Sequence, residues 1–446
     1  MITLPMIESH GNRPNVLGTL VWSGNVSLWK KHFGTALFFI VYSREANVKE
    51  THLADSRTKG ESIMTAHSRS SFQVFWKEPR VADGFRSGVS LHSHTMYSEE
   101  SLDMVPRYTE KVPYLGQAIR RQEQAYRRKN QRPFSFADAF WTPPLAPRQA
   151  VRLEEKQIQR KFALPALVSL TDHDDIRAGA QLRVLERFKK VPISTEWTIP
   201  FQATFFHLGV HNMPLEDSEE LMKRFAAFTA NPDPDVLDGL LAMLNALPDV
   251  LLVLNHPLWD EKGIAAERHA AALEALLARY GSYFHALELN GLRGWSENKE
   301  VVALGKTLDL PLVAGGDRHG REPNAILNLS RARTFAEFSE EVRRERVSHV
   351  VFMPQYHEPL KLRVLQTMVD VVREYPENFG GRRTWADRVH YRDPETQLTV
   401  PLSELWPDGG PAIVKHFVAA MRIVGWTPFR SALRLALNER AAIWSE

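Results

Sequence analysis

The residues best suited to chemistry in this chain are histidines and carboxylates, and they recur at the ends of short apolar runs. Leu91-His92-Ser93-His94-Thr95 closes the run Gly88–Leu91. In an extended chain, residues two apart share a face, so His92 and His94 point together and offer a two-nitrogen metal platform. Ser98-Glu99-Glu100 follows and supplies a carboxylate, expected to be Glu99. Thr171-Asp172-His173-Asp174 ends the run Ala166–Leu170, and a charged quartet there is costly unless paired or metal-bound. Glu196 follows Val191–Thr195, His207 follows Thr204–Phe206, and Asn255-His256-Pro257 ends Val250–Leu254. His211 shares strand spacing with His207, so at most one of the two is expected as a ligand. Phe284–Leu289 ends in Asn290, and Pro311–Ala314 leads through Gly315-Gly316, which permit close approach, to Asp317 and His319.

A single H-x-H is common without function; the set is not. Histidines 92, 94, 173, 207, 256 and 319, with Glu99, Glu196 and Asp317, make nine ligands of hard or borderline character. That is too many for one tetrahedral zinc and enough for two to three divalent ions. Clustered divalent ions activate water and neutralise phosphoryl oxygens in an in-line displacement. The 446 residues contain no cysteine, so disulfides, iron–sulfur clusters, thiolate zinc and a cysteine nucleophile are excluded. The formal charge of +3 is too mild to imply nucleic acid.

The seven apolar runs read as strands. Amphipathic helical stretches at Arg177–Lys190, Asp235–Ala246, Ala265–Tyr280 and Ser296–Leu308 separate several of them, the pattern of parallel βα units. Polar groups at nearly every strand end predict a closed α/β barrel of about seven strands rather than an open sheet. Residues 1–84 read as a poorly defined N-terminal extension with a few strands, 85–350 as the barrel, and 351–446 as a helical C-terminal region. The last has helices expected at Leu360–Tyr375, Ala412–Ile423 and Ser431–Trp444, around a turn-rich stretch Pro376–Pro411. A helical insertion, 103–164, interrupts the barrel. Its residues 107–132 hold eight Lys and Arg against two Glu, and Gln117–Lys129 reads as a basic helix that could attract an anionic, even polymeric, substrate. The longest apolar run near the start, Phe33–Tyr42, is half of the ~20 residues a membrane span requires. Although Lys30-Lys31 precede it, it lies far from Met1 and lacks a small-residue cleavage site, so a cytoplasmic chain without membrane contact is expected.

L-H-S-H-T at 91–95, T-D-H-D at 171–174, Glu196, His207, N-H-P at 255–257 and G-D-R-H at 316–319 together resemble the polymerase and histidinol phosphatase (PHP) family, over roughly residues 85 to 350. The resemblance implies a distorted (β/α)7 barrel holding up to three divalent ions (manganese, iron, zinc or magnesium) and hydrolysing phosphoesters. It implies His92, His94, His173, Glu196, His207, His256, Asp317 and His319 as ligands, with Glu196 bridging. Glu99 stands where many members carry an Asp. The spacing is similar to the branch of nucleotide phosphatases and 5′→3′ exonucleases. Substrates are then phosphorylated small molecules, nucleotides or short single-stranded nucleic acid. The expected mechanism is attack of a metal-bridging hydroxide beside Glu196 on phosphorus. Arg177, Arg293 or Arg318 would supply a cation, and Asp174 would assist proton transfer or ligand orientation. The competing readings are an amidohydrolase acting on C–N bonds, which usually adds a metal-bridging lysine not found here, and a non-catalytic module that has lost its metals.

Overall fold

The computed structural model describes residues 68–436 apart from 76, 79, 111–112, 132–134 and 379–381. The expected N-terminal extension up to 67, and the end of the last expected helix, lie outside the described residues.

The strands are β1 (Arg69–Val74), β2 (Ser87–Ser93), β3 (Glu100–Ser101), β4 (Ala139–Trp141), β5 (Ala166–Val168), β6 (Ile193–Phe201), β7 (Thr204–Met213), β8 (Leu251–Asn255), β9 (Ala286–Asn290), β10 (Leu312–Arg318), β11 (Ile326–Ser330), β12 (Val347–Phe352), β13 (Val389–Arg392) and β14 (Thr399–Pro401). A large sheet runs β1-β12-β11-β2-β10-β9-β8-β7-β6, and β5 pairs with β2 as well. The chain just beyond β5 returns to β6 through a parallel bridge between His173 and Glu196. β5, β2, β10, β9 and β8 are mutually parallel, as the βα pattern predicts.

Two strands run against that direction: β11, antiparallel to β2 and β12, and β7. β6 and β7 form an antiparallel hairpin closed at Phe201 and Thr204, with Gln202 in the left-handed region (φ 53°) to make the two-residue turn. β7 is also antiparallel to β8. His207 therefore lies early in its strand rather than after it, yet stands opposite Asn255 at the C-terminal end of β8. Reversal of β7 brings the start of this strand to the end of the sheet where its neighbours finish.

Burial follows the alternation of the strands. Leu252 and Leu254 pack on one face with Leu208, Val210, Leu287 and Leu289 against helical Leu241, Leu244 and Leu276. Leu251 and Val253 face the other way and join Val89, Leu91, Ala286 and Val313 around Phe335 and Phe338 of helix Phe335–Arg343. Strands covered on both faces read as continuous apolar runs, which is why Val250–Leu254 carries no polar residue. The helix Pro234–Ala246 shows how its neighbours are made. The Asp233 side chain accepts from the N–H groups of Asp235 and Val236 (2.9 and 3.1 Å), Pro234 occupies the first turn, and Leu237, Leu240, Leu241 and Leu244 form the buried stripe.

A second, antiparallel sheet runs β14-β13-β4-β3. Its inner strands come from distant parts of the chain, β4 from the insertion and β13 from the stretch expected as turns. Runs of three or four residues are too short for alternation to show in sequence, and the pairing partner is what makes them strands. Helices Leu360–Val372 and Ala412–Val424 pack through Leu365, Val369, Val418 and Met421. The basic helix of the insertion spans Pro113–Asn130, with Arg120, Arg121, Arg127 and Arg128 exposed. Among the described residues no helix is long and apolar enough to cross a membrane.

Arg388 ties the C-terminal pieces together. Its buried guanidinium donates to the carbonyls of Val371 (2.7 Å), Arg373 (2.6 Å) and Arg382 (3.1 Å), and its own carbonyl accepts from Thr142 N–H (2.8 Å). Arg388→Ala leaves those carbonyls buried without a donor, so a loss on the order of 3 kcal/mol is expected for the transition that includes this region. Denaturant titration checks this, and a change under about 1 kcal/mol would show that the carbonyls find other partners.

Candidate metal centre

Glu196 is the centre of the site. It is fully buried, and its two carboxylate oxygens are shared among the imidazoles of five histidines. Oε2 lies 2.9 Å from His92 Nε2, 3.3 Å from His94 Nε2 and 3.4 Å from His173 Nδ1. Oε1 lies 3.1 Å from His256 Nε2 and 3.4 Å from His207 Nδ1, and it accepts from Asn255 Nδ2 at 2.9 Å. The backbone explains the convergence. Glu196 N–H donates to Asp172 O, and Glu196 O accepts from Asp174 N–H, so the end of β5 is stitched to β6 at this residue.

The strand ends that carry the other groups are bent. His92, His256 and Asp317 all have positive φ (58°, 27° and 52°), where a residue with a Cβ is strained by ~1–2 kcal/mol. Between Leu91 and Ser93, β2 advances two residues while β10 advances three, from Gly315 to Arg318, a bulge that contains Asp317. His92 and His94 do meet, their Nε2 atoms 3.1 Å apart, as the spacing predicts. Asp317 Oδ1 completes their company at 3.6 and 3.5 Å.

Three residues outside the expected ligand set, of which Glu288 was not singled out in the sequence, hold these groups in place. Glu288 contacts His92 Nδ1 through Oε1, while its Oε2 accepts from His256 N–H (2.8 Å) and Asn290 Nδ2 (2.9 Å). A carboxylate on the far nitrogen of a ligating imidazole fixes the tautomer and turns Nε2 toward the metal. Asn290 also reaches Asp317 Oδ2 (3.2 Å), and Asn255 holds Glu196. The glycines next to Asp317 exist for this arrangement. A Cβ on Gly315 would stand 1.6 Å from Glu288 Oε1, and one on Gly316 would stand 1.8 Å from the Asn324 side chain. The signal for Glu288 was its alternate position on the buried strand Ala286–Asn290, where a charge requires a partner.

The acidic residue after β2 is Glu100, not Glu99. Glu99 is exposed and paired with Arg392 (2.7 Å). Glu100 is buried and faces His319 Nε2 (3.1 Å), His173 Nε2 (3.4 Å) and His94 Nδ1 (3.6 Å). The exchange has a topological cause. Glu100 pairs with Trp141 in the small sheet, and that register turns alternate residues toward the histidines. Two of the expected cations also leave the site. Arg318 is buried but points toward the insertion, donating to Glu154 (3.2 Å) and to Gly320 O (2.9 Å). Arg177 is exposed, bonded to Asp175 (2.6 Å) and stacked on Tyr97. Asp174 accepts from Thr198 N–H (2.9 Å) and braces β6 without entering the cluster. His211, buried against Ser169, is pushed down to about 3 by burial and stays apart from the ligands. Arg293 remains: its guanidinium lies 3.8 Å from Asp317 Oδ2 and stacks over Trp259.

Three sets of side chains bring ligand atoms close enough for a shared ion: His94, Glu100, His173 and His319; His92, His94 and Glu196; and His173, Glu196 and His207. Glu100 Oε1, His207 Nδ1 and Asn255 Oδ1 are buried here without a hydrogen-bond partner, as expected of groups whose natural partner is a cation. His256 and Asp317 border these sets. The electrostatics agree. Burial disfavours the charge on Glu196, yet His92, His173 and His207 hold its carboxyl well below the usual range. Burial likewise disfavours charge on His92 and His173, but the surrounding carboxylates hold both well above the ordinary imidazole value. His94, buried beside His319, is pushed down to about 3. Raised imidazole values and a lowered carboxyl value together favour proton-carrying histidines facing an ionised carboxylate.

No family model matches the chain, and no curated protein does. Among solved structures, the chain is similar to PsfC from Pseudomonas syringae PB-5123 (19% identity, TM-score 0.34, covering 49% of this chain and 88% of that one). It is also similar to a protein named as a metal-dependent phosphoesterase, from Bifidobacterium adolescentis (14%, 0.32, covering 58% and 95%). A third is an amidohydrolase from Chromobacterium violaceum with bound sulfate and no metal (13%, 0.29, covering 52% and 87%). At such overlap none of them carries a function to this chain.

Two predictions test the geometry. Gly315→Ala should displace Glu288 from His92 and weaken metal binding ~10–100-fold, with Glu100→Gln weakening it and Glu99→Gln leaving it unchanged; calorimetric titration separates these, and equal behaviour of the two Glu variants would reject the assignment. Metal uptake near neutral pH should release protons from His92 and His173, so affinity rises with pH. Titration in buffers of different ionisation enthalpy reads the proton number, and a value of zero would contradict the protonated cluster.

Proposed function

We propose that the chain is a metal-dependent phosphoesterase of the PHP kind, built on a distorted seven-stranded α/β barrel. The single observation that carries this reading is the buried Glu196 carboxylate surrounded by five imidazoles. A carboxylate so placed would be available to more than one ion rather than to a single partner. The unbroken run of strand neighbours from β2 through β10, β9, β8, β7 and β6 to the chain beyond β5 supports the closed barrel.

Two to three divalent ions bound by these residues would supply Lewis acidity and a water activated near neutral pH. His92, His94, Glu100, His173, Glu196, His207, Asp317 and His319 would hold them, with His256 against Glu196. Glu288 and Asn290 orient the ligands. Arg293, stacked on Trp259 beside Asp317, can donate to an equatorial phosphoryl oxygen as negative charge builds there. None of strands β2 and β5–β10 carries a lysine, which favours phosphoester over C–N hydrolysis. Phosphomonoesters, nucleotides and short oligonucleotides are the substrate classes in view, and the exposed arginines of Pro113–Asn130 favour an anionic one.

Protein reconstituted with Mn2+ should release inorganic phosphate from a panel of phosphomonoesters and nucleotides, and lose that activity to a chelator. Glu196→Gln and Arg293→Gln should lower turnover, the first by at least ~10²-fold, while Arg177→Gln stays near wild type. Hydrolysis of amide substrates by protein inert to every phosphoester would overturn the reading.

A further inference from the structure

The loop that follows β8 contributes a carboxylate to the site that none of the motifs contains. Its shape is fixed from within and from both sides. The Asp260 side chain accepts from the N–H groups of Gly263 (2.8 Å), Ile264 (3.0 Å) and Ala265 (3.0 Å). Trp259 N–H donates to His256 O (2.9 Å), and the Trp259 ring lies under the Arg293 guanidinium. On the other flank, Gly263 has φ +70°, and Arg107 of the insertion passes where its side chain would be. The residue this loop presents toward the metal ligands is Glu261.

Glu261 Oε2 lies 3.8 Å from His207 Nδ1, and Glu196 Oε1 lies 3.4 Å from the same nitrogen. His207 Nδ1 is buried and has no hydrogen-bond partner. Ligand atoms about 2.0–2.2 Å from one ion stand roughly 3–4 Å from each other. Both carboxylate oxygens therefore stand from His207 Nδ1 at the separation of two ligands of one ion, too far to be its hydrogen-bond acceptors. His173, Glu196 and His207 form a set of only three ligands, and Glu261 comes to it from the solvent side, with 33% of its side chain exposed.

We propose that Glu261 is a fourth ligand of the divalent cation held by His173, Glu196 and His207. The inference rests on the metal reading above and extends it beyond the motif residues. Two imidazoles and two carboxylates are a donor set that suits Zn2+ or Mn2+. Because one ligand stands on a partly exposed loop, this ion is the most weakly held and the first to exchange.

The test is stepwise titration of metal-free full-length protein with Mn2+ and with Zn2+, with bound metal counted by elemental analysis. Wild type, Glu261→Gln, Glu261→Asp and the surface control Glu267→Gln are compared, with circular dichroism reporting the fold. Glu261→Gln should weaken the last-bound equivalent at least tenfold and leave the tighter ones unchanged. Glu261→Asp, charged but shorter, should weaken the same equivalent, because a ligand requires reach as well as charge. Wild-type protein that binds less than one metal per chain overturns the metal reading itself. Wild-type protein that binds two or more, with Glu261→Gln indistinguishable from it, overturns only the role of Glu261. So does full affinity in Glu261→Asp, which would reduce Glu261 to a distant charge, or an equal loss of every equivalent, which would make the loop a general support.

Discussion

A buried carboxylate cannot stand alone, and Glu196 is as deeply buried as any residue in the chain. Its charge is tolerable only because positive or polarisable groups surround it on all sides, and the strand ends supply them. Five elements converge on this one side chain: the ends of β2, β5 and β8, the start of β7, and β6 itself. Three of the histidines are in turn held by other groups, His92 by Glu288, and both His94 and the backbone of His173 by Ser98. The cluster is a network of mutual compensation, in which removal of any one charge leaves the others uncompensated.

That constraint reaches into the backbone. Left-handed conformations at His92, His256 and Asp317 are unfavourable locally and persist because the surrounding sheet determines them. Gly315 and Gly316 leave room for Glu288 and Asn324 to cross β10. Asn324 repays that room with hydrogen bonds to Ser90 Oγ (2.8 Å) and Leu91 O (3.1 Å), which fix β2 just before His92. Bulge, glycine pair and carboxylate are one device for aiming Asp317 and His92 at a common point.

The parts outside the strand-and-helix framework serve the same point. The insertion and the C-terminal region meet in the small sheet, whose edge strand delivers Glu100 to His173 and His319. Buried Arg363, on the first C-terminal helix, donates to the carbonyls of Gly291 and Arg293 and so holds the loop from which Arg293 reaches Asp317. Neither region is a bystander, although neither contains a recognisable motif.

The sequence by itself determined the residue types of the cluster, the absence of thiolates and the strands that carry the histidines, because residue type and apolar periodicity are local properties. His92, His94, His173, Glu196, His207, His256, Asp317 and His319 could all be picked out that way, each following an apolar run. Only the tertiary structure decided between Glu99 and Glu100, because the choice depends on pairing with Trp141, 41 residues on in a strand too short to see. It alone turned Arg318 toward Glu154 and away from the site, reversed β7, and brought Glu288, Asn290 and Glu261 to the cluster. Those outcomes rest on which distant segments pack together, and a charge on a buried strand announces only that it requires a partner, not which one.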